Sequence, residues 1–204
     1  KRQIYRIRLV DAQNIPETGG VLLLPNHVTW ADCFLISAAC HRPVRFVMYE
    51  GFMHTFLVGW GARVFNTVPI SATKAKEAVR AVSDSLENGN VVCLFAEGEL
   101  TRTGCLQEVK RGFELMARKA GAPIVPMWMD GAWGSIFSFE RNKFFRKLPR
   151  ALPFPMTIAI HPSIPAREAS IAVLENALHR ASASALAARV EKSGLLRKPD
   201  APFW

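Results

Sequence analysis

Val21-Leu22-Leu23-Leu24-Pro25-Asn26-His27-Val28-Thr29-Trp30-Ala31-Asp32 is the stretch on which the fold turns. Four consecutive apolar residues ending at a proline fit a strand buried on both faces. Thr29 can cap a helix running from about Trp30 to Cys40, which Arg42-Pro43 closes. A buried strand passing directly into a helix is the basic unit of an α/β protein.

The same alternation continues outward. Ile4 to Val10 mixes apolar and basic residues, as an edge strand with a wet basic face would. Val44 to Met48, Val64 to Val68 before Pro69, Val91 to Ala96, Ile124-Val125 and Met156 to Ile160 read as further strands. Helices are expected at Lys74 to Leu86 and at Lys110 to Ala120, with Gly121 as the residue past its end. A closing helix is expected at Ile171 to Glu191. Gly51 to Gly61 takes no firm assignment. The expected fold is α/β: a single domain over residues 1–204, with a central, mostly parallel or mixed sheet flanked by helices. Strand order and direction are not legible.

Composition bounds the function. The 204 residues are half hydrophobic and carry a net charge of +9, which favours polyanionic partners. There is no dense Lys/Arg run, zinc-ligand spacing or ribonucleoprotein motif, so nucleic acid is not expected as a partner. Cys33, Cys40, Cys93 and Cys105 form no C-x-x-C pair and read as reduced thiols. Neither of the two most apolar stretches is clean enough to span a bilayer, so any membrane contact is expected at the surface. Two segments suit such contact: Trp133 to Phe154 with its aromatic and basic residues, which burial in the core explains equally, and Gly51 to Trp60, which could also line an acyl groove and which burial in the core explains better.

Two features carry chemistry. His27 stands at a strand end and Asp32 in the first turn beyond it. The chain can fold back there and bring the carboxylate to one ring nitrogen, leaving the other free to accept a proton. A plain helix cap by Thr29 and Asp32 fits the spacing equally well. The second feature is Glu97-Gly98-Glu99-Leu100-Thr101-Arg102-Thr103-Gly104, a polar loop after a buried strand. Its glycines allow close backbone approach to a ligand, and Arg102 with the threonines suits a phosphate. A solvated turn is the alternative.

Taken in order, Asn26-His27…Asp32, Glu97-Gly98 with Thr101-Arg102-Thr103, and Ile124-Val125-Pro126 resemble the conserved blocks of the glycerolipid acyltransferase family, which acylates glycerol-3-phosphate and lysophospholipids. The resemblance runs from about Tyr5 to Ile164. It implies a glycerol-3-phosphate acyltransferase-like fold, His27 and Asp32 as catalytic residues, and Asn26, Glu97, Gly98, Thr101 and Arg102 as acceptor-binding residues. It also implies acyl carrier protein or coenzyme A as the donor's carrier, with no cofactor and no metal.

The loop wording and Lys110-Arg111-Gly112-Phe113 resemble one branch more narrowly. It comprises the acyltransferase segment of bifunctional 2-acylglycerophosphoethanolamine acyltransferase/acyl-carrier-protein synthetases and related transporter fusions. Glu99-Leu100 lengthen the loop relative to the usual family form, and Arg63 stands early in its block. The expected acceptor is therefore lysophosphatidylethanolamine or a similar lysophospholipid, with 1-acylglycerol-3-phosphate as the alternative. The expected setting is an anionic surface on the cytoplasmic side of the inner membrane, in a chain excised from a longer polypeptide with fused synthetase or transporter domains. Two rivals are a thiol enzyme using Cys33 or Cys105 with His27, and a lipid-binding module without turnover.

Overall fold

Val21–Pro25 is buried at every residue because it is an inner strand of the sheet, covered on both faces. The computed structural model describes residues 5–51, 65–71, 74–140 and 153–193. These form strands β1 (Tyr5–Val10), β2 (Val21–Pro25), β3 (Val44–Tyr49), β4 (Val68–Ile70), β5 (Val91–Cys93), β6 (Ile124–Asp130) and β7 (Phe154–Ile160). The strand order is β1-β7-β6-β2-β5-β3-β4. Every neighbouring pair is parallel except β6 and β7. The mixed sheet agrees with the expected class.

Strand alternation divides the core in two. Val21 and Leu23 of β2 pack with Val28, Leu35 and Ile36 of the α1 side, where α1 spans Asp32–Ala39. Leu22 and Leu24 point the other way. They pack with Val82 and Leu86 of α2 (Ala75–Glu87), Phe113 of α3 (Gly112–Ala120) and Leu174 of α4 (Ile171–Ser193). Both faces of β2 are therefore dry, which is why its sequence is continuously apolar rather than alternating.

Several boundaries differ from the sequence reading. Helix α1 starts at Asp32, not Trp30, because Thr29 to Ala31 is occupied by turns around the Asp32 carboxylate. The expected strand at Val64 to Val68 forms later, as Val68–Ile70, with Asn66 in a left-handed turn (φ 45°) before it. Pro69 sits inside this strand without penalty because β4 is the sheet edge. Strand β5 ends at Cys93, where the chain turns toward the site. Gly121 ends α3 in the left-handed conformation, as read. Strand β1 is the other edge, but its basic face is only partly wet, since the Arg8 guanidinium donates to the Ala188 carbonyl of α4.

Parallel strands β2, β5 and β6 end at the same side of the sheet. The segments that follow them (26–31, 94–111 and 131–139) therefore meet there, where α/β proteins commonly build their sites.

Candidate active site

Asn26 fixes the end of β2. Its Nδ2 donates to the Met129 carbonyl at 3.3 Å, and its Oδ1 accepts from the Met129 N–H at 2.7 Å. One residue on, the His27 N–H donates to Glu97 Oε1 at 2.7 Å, and the His27 carbonyl accepts from the Thr101 N–H at 2.9 Å. Two neighbouring segments thus set the backbone of His27 before its ring makes any contact.

The ring lies against Phe95, with centroids 3.7 Å apart and planes inclined by 16°. Its Nδ1 is 2.9 Å from Asp32 Oδ2. Asp32 is fully buried. The same Oδ2 accepts from the Val28 N–H at 2.7 Å and the Thr29 N–H at 3.0 Å, while Oδ1 accepts from Thr29 Oγ1 at 2.6 Å. Charge-assisted bonds of this number replace the hydration that a buried carboxylate loses. Thr29 is not the cap of α1, whose N-cap is Ala31 with no side-chain cap; Asp32 instead ties down the turn before α1 and orients His27 together. An ionised carboxylate only accepts, so Nδ1 carries the proton in this pair and Nε2 presents a lone pair.

Glu97 is buried. Its Oε1 takes the His27 N–H and its Oε2 takes the Gln107 N–H at 2.7 Å. Burial pushes its carboxyl above the ordinary range, and the bonds from Gln107 and His27 oppose that shift. Thr101 is also buried. Its Oγ1 donates to the Cys105 carbonyl at 2.8 Å and accepts from the Gly104 N–H at 3.0 Å. Asn26, Glu97 and Thr101 thus spend their polar atoms on backbone groups, an arrangement that positions His27 and the loop. Gly98 and Arg102, by contrast, line an open groove with His27. Gly98 turns the chain there at φ 80°, which a side chain would strain.

That groove encloses about 410 Å³ and is mainly apolar, walled by Trp30, Phe46, Tyr49, Ile70 and Leu94 among others. Glu99 and Arg102 bring charge to its lining, with the Arg102 guanidinium 3.9 Å from the centre of the Phe139 ring. Such a cavity offers an alkyl chain one wall and an anion the other.

Cys33 also lines the groove, but its thiol is pushed up to about 12, first by burial and then by the Asp32 charge. A thiol so hard to ionise is a poor nucleophile. Cys40 and Cys93 are raised by burial as well, and Cys105 is exposed. Among the described residues no group of His, Cys, Asp and Glu could hold a metal ion.

The segment 131–139 escaped the sequence reading as part of the site. It straps the His27 loop from outside: the Trp30 N–H donates to the Phe137 carbonyl at 3.2 Å, and Thr29 pairs with Ser138. Trp133 covers Gly104 so closely that a Cβ there would lie 2.8 Å from the indole. The aromatic residues of Trp133 to Phe154 left membrane contact and core burial equally open; of those described, Trp133 and Phe137 pack partly buried on the core, Phe139 lines the groove and Phe154 is buried within β7. The basic run Arg141 to Arg150, all of Gly51 to Trp60 except Gly51, and Arg63 lie outside the described residues. The only local signal for the strap was the pair Gly131 and Gly134 around Trp133, both at positive φ.

Comparison with known proteins adds an independent line. The pattern of the family described as Acyltransferase matches residues 6–130. A 1-acyl-sn-glycerol-3-phosphate acyltransferase of Pseudomonas aeruginosa is 25% identical over 140 residues, covering 63% of this chain and 53% of its own length. A protein of the same name from Chlamydomonas reinhardtii is 24% identical over 200 residues, covering 96% of this chain and 58% of its own. The chain therefore spans a little over half the length of these relatives. The crystal structure of the 1-acyl-sn-glycerophosphate acyltransferase PlsC from Thermotoga maritima superposes with a TM-score of 0.64 at 20% identity. It covers 95% of this chain and 74% of its own, and establishes likeness of fold.

Proposed function

As the chain belongs to the acyltransferase family, we propose that it is an O-acyltransferase moving an acyl group from a thioester to the free hydroxyl of a lysophospholipid. The observation that carries this reading is the His27 ring, tied through Nδ1 to a buried carboxylate and opening onto a groove with an apolar wall and one arginine. His27 Nε2 takes the acceptor's hydroxyl proton as that oxygen attacks the thioester carbonyl. The tetrahedral adduct collapses, the C–S bond breaks, and the imidazolium returns the proton to the departing thiolate. Asp32 stabilises the imidazolium between these steps. The donor is carried on acyl carrier protein or coenzyme A, and no acyl group passes through the enzyme.

The names of the matched relatives favour 1-acylglycerol-3-phosphate as acceptor. Lysophosphatidylethanolamine rests on the resemblance of the Glu97 loop and of Lys110-Arg111-Gly112-Phe113, and takes second place. A phosphate monoester is also the better match for the Arg102 guanidinium. Among the described residues no helix is long and apolar enough to cross a membrane. With a net charge of +9, the chain would meet its lipid at an anionic surface on the cytoplasmic side of the inner membrane.

The test is a panel crossing lysophosphatidate and lysophosphatidylethanolamine with acyl-carrier-protein and coenzyme A thioesters. Phosphatidate formed faster than phosphatidylethanolamine is the expected result. The reverse order would restore lysophosphatidylethanolamine, and no transfer from any donor would favour a lipid-binding module.

A further inference from the structure

We propose that Phe139 is the positioning residue for the acceptor's anionic head group: its ring fixes the face of Arg102 so that the edge of the guanidinium is presented to the groove. The inference rests on the acceptor reading of Arg102 given above.

An arginine stacks by its face and pairs by its edge, so one residue can use both at once. Here the face is taken, 3.9 Å above the Phe139 ring. The edge is not: among the described residues Arg102 forms no hydrogen bond or ion pair. The side chain is exposed. A long exposed side chain without a carboxylate partner samples many rotamers, and ordering it on binding costs affinity. The aromatic plate removes part of that cost beforehand.

The plate itself is firmly placed. Phe139 is half-buried and follows Ser138, whose Oγ accepts from the Gly134 N–H at 3.1 Å and donates to the Ser135 carbonyl at 3.0 Å. Through the Trp30–Phe137 bond and the Thr29–Ser138 bridge, the strap that carries Phe139 is fastened to the loop that carries His27. Base and head-group cation therefore share one support, which fixes the distance between the hydroxyl to be acylated and the anion that anchors the acceptor.

The experiment compares Phe139→Leu, Phe139→Trp, Arg102→Ala and the Arg102→Ala/Phe139→Leu pair in steady-state assays with lysophosphatidate. Thermal melts of each variant report folding. Leu keeps the apolar bulk and loses the π-face, so a packing role would leave it silent. Expected is a rise in acceptor KM of roughly three- to tenfold for Phe139→Leu, with kcat and donor KM unchanged. Phe139→Trp should restore the value, and the double variant should match Arg102→Ala alone. If Arg102→Ala raises acceptor KM while Phe139→Leu does not, or if the two effects simply multiply, the inference fails and the acceptor reading stands. If Arg102→Ala leaves acceptor KM unchanged, both fail.

Discussion

The two loops that meet at His27 are built on opposite plans. In the first, from Asn26 to Asp32, the side chains of Asn26, Thr29 and Asp32 are consumed internally, and the Asp32 carboxylate alone gathers four donors. In the second, Glu97 and Thr101 are equally consumed, yet Gly98, Glu99 and Arg102 are left exposed at the groove. The base is fixed before substrate arrives, whereas the acceptor side offers a single cation steadied by a single ring. Pre-organisation of the proton acceptor lowers the barrier for any acceptor. A sparse binding face leaves selectivity to a few contacts.

Several substitutions would sharpen or break this contrast. Short of removing the base itself, the largest effect is expected from Asp32→Asn. With its amide oxygen in the place of Oδ2, the side chain keeps the Val28 N–H, Thr29 N–H and His27 donors but loses the charge, and its NH2 no longer accepts from the Thr29 hydroxyl. We expect kcat to fall roughly a hundred- to ten-thousandfold, no further than on removal of His27 itself, with Tm lowered by the lost Thr29 hydroxyl bond. Activity close to the parent would show that the charge is dispensable.

Next comes Glu97→Gln. An amide has one acceptor for the two N–H groups that Glu97 now takes, so one buried donor is left unpaired at about 1–3 kcal/mol. Both Tm and kcat should drop, the latter less than for Asp32→Asn. The pH dependence carries a sign. A carboxyl raised by burial contributes stability below its unfolded value of about 4.3 and loses it as pH rises through the raised folded value. Melts across that window should show the loss in the parent and not in the Gln variant; parallel profiles would remove Glu97 as the source.

Asn26→Ala should act on stability more than on binding, since it orphans the Met129 N–H and carbonyl at about 1–3 kcal/mol each. A lowered Tm with unchanged acceptor KM is expected. The opposite pattern would return Asn26 to a substrate contact.

Thiol alkylation should have the smallest effect. At about pH 8 the Cys33 thiolate fraction is on the order of one in ten thousand, given a value near 12. Iodoacetamide should mark exposed Cys105 and leave both Cys33 and acyl transfer intact. Inactivation tracking the labelling of Cys33 would revive a thiol nucleophile.

The pairing of His27 with Asp32 was legible because it is local: five residues apart, at a strand end, with one turn between them. The alternating elements were legible for the same reason, since burial of β2 on both faces writes itself into an unbroken apolar run. What the chain could not disclose depends on distant partners. Asn26 finds its role 103 residues away at Met129, and Glu97 finds its own 70 residues back at His27. Both carry the polar groups a ligand would want, and it is the family resemblance that implies them as binding residues. The strap at 131–139 stayed hidden because its bonds to the His27 loop are mainly through backbone, to which side-chain chemistry gives no clue. Aromatic residues there suit a membrane or a core alike; Trp133 and Phe137 pack against the core, while Phe139 lines the groove.

His27→Ala tests the account most directly. In single-turnover transfer from an acyl thioester to lysophosphatidate, the folded variant should be slower by about a hundred- to ten-thousandfold, with acceptor binding retained. Transfer at the parental rate by a variant of parental Tm would contradict His27 as the base.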